Sequence, residues 1–348
     1  MVFGVGNKVI YIVMRELTGD LHRTLARLES LCIADPKLTV WYNDGYVPII
    51  RVVDDLRARI ASLEDTGQSE RDPQEFADAV TIIMPFRGDS RNGKSLLRRL
   101  EFCLRAFNLQ SGLVVAKELV VVSSASSAEV NAELAEIVTR YQKVRVVYDD
   151  EQFRWSQAKI INRGILESES PYVMSIDCDI VLPHKYLWRL CQSLAEDACL
   201  YGIVIRLKNH EAVRDTPNVH ELTWEGFRTL FPKMTSRQPV SDHCGTGPIT
   251  VPRKVIESIG GWDDSFIDYG YEDYDVLQRI RRSGCEVLGK MGLFCFHLDH
   301  SANPIRGKHT GKNREMYLHG KAAFRKTELY HRLVEAGRIE DVSGSSDS

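Results

Sequence analysis

The 348-residue sequence has no long hydrophobic run. Its longest early apolar stretch, Val9-Ile10-Tyr11-Ile12-Val13-Met14, falls far short of the roughly 20 residues that span a bilayer. It is also too short for a secretory core, and no small-residue cleavage site follows it. These absences predict a cytoplasmic protein without a transmembrane segment, working in solution or peripherally at the inner membrane face. No charge of one sign dominates: 45 Lys and Arg stand against 48 Asp and Glu, a net charge of −3. Such a balance offers a polyanion no general attraction, so nucleic acid is not expected as a partner. Eight cysteines are present without a single CxxC pair, which argues against a zinc ribbon or a dithiol redox motif. Most are expected to be reduced core thiols. No HExxH pattern occurs, so the histidines do not read as a zinc-protease site.

What is present suits a globular enzyme. At 43% hydrophobic and 27% charged residues, the chain can bury a sizeable core. Residues 1–75 open on a strand-like run and continue into two helical stretches, Leu21 to Leu31 and Val52 to Leu63. They read as a small α-rich accessory segment, with Glu64 to Pro73 as linker. No chemistry is evident there, and packing or homo-oligomerisation is its expected role. Residues 76–335 read as the catalytic domain and 336–348, ending in a Ser/Gly/Asp-rich run, as a disordered tail.

From Ala79 strands and helices alternate. Strands are expected at Val80 to Met84, Glu118 to Ser123, Val144 to Tyr148 and Tyr172 to Ile176. Helices are expected over 94–107, 127–140 and 156–166, the first with Leu96, Leu97, Leu100, Leu104 and Phe107 on its inner side. This alternation predicts an α/β fold with a mostly parallel sheet covered on both faces. Ligands bind such sheets outside the carboxyl ends of the strands, where Pro85–Ser90 and Asp177–Asp179 would lie.

Three features carry chemistry. Asp177-Cys178-Asp179 sets two carboxylates directly after an apolar strand, where both can turn toward one point. Hard oxygen ligands there suit Mn²⁺ or Mg²⁺ bridging two phosphates. Isolated, the pattern also fits a solvated turn. The second feature runs from Gly260 to Asp275 and interleaves Asp268, Glu272, Asp273 and Asp275 with Trp262, Tyr269 and Tyr271. One or two acids are explained by a helix N-terminus at Glu272, but not four beside so many aromatics. Flat rings suit sugar C–H groups, and carboxylates accept hydrogen bonds from sugar hydroxyls or take a proton from one. The third is Phe296-His297-Leu298-Asp299-His300, after the strand-like Met291 to Phe296. Either imidazole can ligate Mn²⁺.

In this order the three features resemble the GT-A (Rossmann-like) glycosyltransferases of families 2 and 7. The likeness is strongest to the β-1,4-galactosyltransferase and chondroitin-polymerase type and covers about residues 79–320. Ile82-Ile83-Met84-Pro85-Phe86-Arg87 is similar to that type's IIPFR segment, implying donor-nucleotide contacts at Pro85, Phe86, Arg87 and the following Asp89. Phe153 to Gly164 is similar to FNRAKLLNVG, implying further donor contacts at Trp155 and Lys159. Asp177 and Cys178 fall in the DxD, with Asp179 as its metal-binding acid and Asp177 beside it. Gly260 to Asp275 is similar to NGF…GWGGEDDD, implying Asp273 as catalytic base with Glu272 beside it. Trp262, Tyr269, Tyr271 and Glu272 then lie on the acceptor side. His297, or else His300, supplies the metal-binding histidine.

Two departures stand out. GWGGEDDD reads Asp268-Tyr269-Gly270-Tyr271-Glu272-Asp273-Tyr274-Asp275 here, and the GGVS-like donor segment reads Gly245 to Thr250. The resemblance implies an inverting transfer of a hexose or N-acetylhexosamine from a UDP-sugar to a carbohydrate or small-molecule acceptor, with Mn²⁺ or Mg²⁺. Two rivals remain. One is a non-catalytic sugar-nucleotide or carbohydrate binder. The other is an NDP-sugar nucleotidyltransferase, disfavoured because Arg87 to Lys94 lacks a GxGxRL-like loop.

Overall fold

The structure, a computed structural model, describes residues 2–5, 8–11, 39–42, 45–48, 71–88, 93–149, 155–206, 215–234, 246–268, 270–298, 310–320 and 324–341. The chain divides into two compact units, Met1–Arg71 and Asp72–Ser348. In the first unit the described residues are four strands: β1 (Val2–Val5), β2 (Lys8–Tyr11), β3 (Thr39–Tyr42) and β4 (Gly45–Pro48). They pair antiparallel in the order β2-β1-β3-β4. Only the first strand-like run was anticipated. Gly6-Asn7 and Asn43-Asp44 separate the paired strands, and these residue types suit tight hairpins. The helices expected over 21–31 and 52–63 lie outside the described residues, as do most of the expected linker and residues 342–348 of the tail.

The second unit is built on eight strands: β5 (Val80–Phe86), β6 (Ala116–Ser124), β7 (Val144–Asp149), β8 (Tyr172–Ser175), β9 (Ile180–Val181), β10 (Ala198–Arg206), β11 (Thr246–Pro252) and β12 (Glu286–His297). Their spatial order is β7-β6-β5-β8-β11-β10-β12-β9. The run from β7 to β8 is parallel, as is β10 with β12; β11 opposes both its neighbours and β9 opposes β12.

Helices follow from the apolar spacing. They are α1 (Gly93–Asn108), α2 (Ala128–Val138), α3 (Gln157–Leu166), α4 (Tyr186–Cys191), α5 (Trp224–Met234), α6 (Arg253–Ser258), α7 (Glu272–Arg282), α8 (Thr310–His319) and α9 (Glu328–Glu335). β5 is buried throughout, so its residues alternate between two cores. Val80, Ile82, Met84 and Phe86 join Leu97, Leu100, Leu104 and Phe107 of α1 and Leu134 of α2 on one face. Ile83 joins Ile161 of α3, Val276 of α7 and Leu329 of α9 on the other. Each such fully buried side chain contributes about 1.5–3 kcal/mol relative to exposure. The sheet is thus covered on both faces, the α/β architecture the alternation predicts. Among the described residues, no helix is long and apolar enough to cross a membrane.

Candidate active site

The strand order reverses between β5 and β8. From β5 the chain moves outward through β6 to β7, then returns on the opposite face through α3 to β8. A crevice opens outside the carboxyl ends at such a reversal. The segments after β5 and β8 are the ones that carry Arg87 and Asp177–Asp179.

Beyond Asp179 the chain forms β9, which pairs Ile180 with His297 and Val181 with Phe296 at the end of β12. The Leu298 amide also donates to the Asp179 carbonyl at 2.9 Å. This pairing carries the His297 Nε2 to 3.6 Å from the Asp179 Oδ1. The residues are 9% and 7% exposed. Two ligand bonds of about 2.1 Å each can span that gap, and imidazole with carboxylate is a fitting donor pair for a divalent ion. Among the described residues no three His, Cys, Asp or Glu side chains form a closed cluster for a metal. Asp177 has a different neighbour: the Gln157 amide donates to its Oδ1 at 2.7 Å. His300 and Asp89 lie outside the described residues.

The acid block is tied to α3 and the residues just before it through a turn and three tethers. Gly260 and Gly261 have φ of 78° and 77°. A Cβ on Gly260 would strike the Arg325 carbonyl, and one on Gly261 would strike Leu329 and Asn162. Only glycine permits this approach. The buried Asn162 amide then exchanges two hydrogen bonds with the Trp262 backbone, at 2.8 and 2.9 Å. Ser156 caps α3 by accepting from the Lys159 amide and donates its hydroxyl to the Phe266 carbonyl at 2.7 Å. The Asp268 amide donates to the Trp155 carbonyl at 2.9 Å.

The acids of the block then divide by role. Asp263 accepts from Ser265 and from Arg325, and Asp264 accepts from the Glu328 amide at 2.8 Å. Burial opposes the Asp263 charge, yet the Ser265 and Arg325 bonds hold its carboxyl below the usual range. Asp275 accepts from the Arg279 Nε at 2.7 Å, and both are almost fully buried. Glu272 and Asp273 remain at the N-terminus of α7. Burial first, and the adjacent Asp273 charge next, push the Glu272 carboxyl up to about 8, with Asp177 adding to the effect. The Gly270 amide donates to the Glu272 Oε2 at 2.6 Å. The preceding turn is left-handed at Asp268 (φ 64°), Gly270 (φ 112°) and Tyr271 (φ 74°). Asp268 and Tyr271 pay for that conformation, which costs a non-glycine residue about 1–3 kcal/mol.

On the donor side the Arg87 guanidinium lies over the Trp155 ring, 5.8 Å from its centroid. The Gly88 amide donates to the Ser126 Oγ at 2.9 Å, tying the loop after β5 to the loop after β6. Lys159 lines a small neighbouring cavity of about 30 Å³, together with Ser124, Asp149, Arg163, Asp264 and Glu328. Asp179, His297 and Glu272 do not line that cavity.

Three expectations need correction. Trp262 is 0% exposed and packs with Val276, Ile280 and Leu329 in the core beneath α7. Its ring supports the acid block from behind and presents no face to an acceptor. Phe86 is likewise 0% exposed, its ring packed in the core shared by α1 and α2. Neither it nor the buried Pro85 can offer a donor more than backbone. Cys178 is half-buried against the same core, and burial raises its thiol pKa, so the thiol is neutral. Tyr269 lies outside the described residues. Gln157, Ser156 and Asn162 were not singled out beforehand, because their value rests on partners up to 110 positions away.

A family model described as glycosyltransferase like family 2 matches residues 109–323, more than half of the chain. The chain belongs to that family. The matched span begins in α1's C-terminal loop and takes in the DxD, the acid block and His297, so the family 2 domain contains both sides of the crevice. No curated protein matches the chain. Among solved structures, the family 2 chain is similar to the mannosyltransferase PcManGT from Pyrobaculum calidifontis, determined with GDP-Man and Mn²⁺. The two are 18% identical with a TM-score of 0.44, over 91% of this chain and 80% of that one. A mycobacterial protein is similar at 13% identity and a TM-score of 0.41, over 68% of this chain and 73% of that one.

Proposed function

We propose that this glycosyltransferase-family chain is an inverting, metal-dependent transferase of the GT-A plan, moving a hexose or N-acetylhexosamine from a UDP-sugar to an acceptor hydroxyl. One observation supports this above all: the 3.6 Å approach of Asp179, the second acid of the DxD, to His297. Asp179 and His297 would hold Mn²⁺ or Mg²⁺, and the bound ion supplies positive charge to a leaving diphosphate. Asp177, steadied by Gln157, and the Arg87–Trp155 pair would bind the nucleotide, in keeping with the β-1,4-galactosyltransferase type.

Asp273 and Glu272 stand on the acceptor side. With Glu272 kept protonated, Asp273 is the carboxylate left to act as base. The acceptor oxygen forms a bond to the anomeric carbon while the carbon–oxygen bond to the diphosphate breaks. The bonding pair leaves on the diphosphate oxygen, and the acceptor proton passes to the Asp273 carboxylate. Attack from the face opposite the leaving group inverts the anomeric centre.

The test is release of nucleoside diphosphate from a panel of UDP-hexoses and UDP-N-acetylhexosamines, with GDP-mannose as comparison, with Mn²⁺ and with EDTA. Release that needs the metal, followed by a product of inverted configuration, is expected. Tight donor binding without any release would make the chain a sugar-nucleotide binder, and retained configuration would remove Asp273 from its role.

A further inference from the structure

Beside Asp273 three tyrosines meet. The Tyr271 ring lies 5.6 Å from the Tyr317 ring and 6.1 Å from the Tyr274 ring, and Tyr274 and Tyr317 are 6.2 Å apart, centroid to centroid. These separations are all in the range of ring–ring contact. Tyr271 and Tyr274 stand three positions apart at the start of α7 and so share a face of it. Tyr317 comes from α8, some forty residues further along the chain. Its hydroxyl accepts from the Gln278 amide at 2.8 Å, one turn beyond Tyr274.

Two more contacts hold α8 in place. Asn313, 1% exposed, donates to the Ile267 carbonyl at 2.9 Å, in the loop that leads to Glu272. Arg282 of α7 donates to the Gly320 carbonyl at 2.8 Å. Tyr317 is therefore fixed relative to the acids, and the cluster is not closed over. Tyr274 is 45% exposed, one of three large hydrophobic side chains so exposed among the described residues.

Three rings tilted against one another by 31° to 52°, open on one side and flanked by carboxylates, make an amphipathic surface. Flat aromatic faces attract the apolar C–H face of a pyranose ring, while carboxylates accept from its hydroxyls. An aliphatic or amino-acid alcohol offers no such pair of faces. Resting on the transferase reading above, we infer that Tyr271, Tyr274 and Tyr317 form the seat for a pyranose ring of the acceptor. The acceptor is thus a saccharide, and α8 takes part in choosing it.

The experiment uses the full chain, with methyl pyranosides of glucose, galactose and N-acetylglucosamine as acceptor probes, and glycerol and N-acetylserine amide as sugarless alcohols. Donor and metal are those that support diphosphate release without an acceptor. Transfer to at least one methyl pyranoside is expected, with acceptor KM raised about tenfold by Tyr274→Ala and by Tyr317→Ala. Tyr274→Phe keeps the ring and should stay within about twofold of the parent. Leu318→Ala, an exposed neighbour on α8, should leave the KM unchanged and controls for damage to that helix. Melting curves on each variant separate lost binding from lost folding. Transfer only to the sugarless alcohols overturns the inference, as does an acceptor KM indifferent to both alanine variants while diphosphate release persists. A parent chain that releases no diphosphate from any donor instead overturns the transferase reading, and the inference with it.

Discussion

On one side of the crevice, Asp179 and His297 are neighbours because β9 and β12 pair through their backbones. On the other, Glu272 and Asp273 owe their place to side chains: Asn162 on Trp262, Ser156 on Phe266, Arg279 on Asp275. Under the proposed reaction, the metal side is built like a sheet and the base side like a keystone. A backbone ladder tolerates changes of side chain, so on the metal side a substitution should touch ligand binding and little else. Among the described residues the base side has only a single backbone bridge, Ser156 with Asp268, in place of a ladder. A substitution there can move the acids, unfold the helix start, or both. The left-handed residues Asp268 and Tyr271 mark where that side is under strain.

The largest effect should come from the base itself. Asp273→Asn removes the proton acceptor and should lower turnover by about 10²–10⁴-fold, read as kcat under saturating donor and acceptor. If more than about a tenth of the rate survives, another group takes the proton.

Arg279→Met tests the keystone. It strands the buried Asp275 charge and should cost about 3–5 kcal/mol of stability in urea melts. Adding Asp275→Leu should recover most of that loss, since a buried ion pair and an apolar pair are close in worth. If the single variant is neutral, the base side does not depend on this pair, and the contrast drawn above collapses.

On the metal side, His297→Ala should weaken Mn²⁺ binding at least about tenfold by calorimetry. Its melting temperature without metal should stay close to the parent's. A large loss of stability in that variant would show that the ladder alone does not hold β9.

A further effect concerns pH. Burial raises the Glu272 carboxyl to about 8 in the fold, whereas the unfolded chain loses that proton near the ordinary glutamate value of 4.5. Between those values the native state binds the extra proton, so this residue's contribution is full below 4.5 and is lost as pH rises through 8. Glu272→Gln carries no such proton. In metal-free buffer its melting temperature should therefore gain on the parent's from pH 5 to about pH 8 and level off above that. A constant difference would mean that the Glu272 carboxyl is not held neutral.

Much of the first half of the catalytic unit was legible from residues alone. β5 and β6 are runs of buried Val and Ile, and α1 shows its Leu97, Leu100, Leu104 and Phe107 stripe plainly. Such local periodicity reports which face of an element is buried. β10 and β11 went unread because β11 runs antiparallel to both its neighbours, a reversal that the strand–helix rhythm does not announce. The first unit was read as α-rich, yet four-residue strands such as Thr39–Tyr42 are too short for periodicity to register. Trp262 was misjudged for a different reason. An aromatic among acids looks like a binding face, and only the packing of α7 on α3 and α9 shows it buried.

The chemistry of this protein was written in residue types: a DxD behind an apolar strand, acids with tyrosines, a histidine closing the last strand. Those choices depend on neighbours in the chain, and reading along the chain recovers them. Which of these side chains meet was decided by contacts across a hundred residues or more, such as Asp179 with His297 and Ser156 with Phe266. Distance along the chain says nothing about distance in space until strands pair and helices pack. The same packing set Glu272 apart from Asp273, because burial reached one carboxyl more fully than its neighbour.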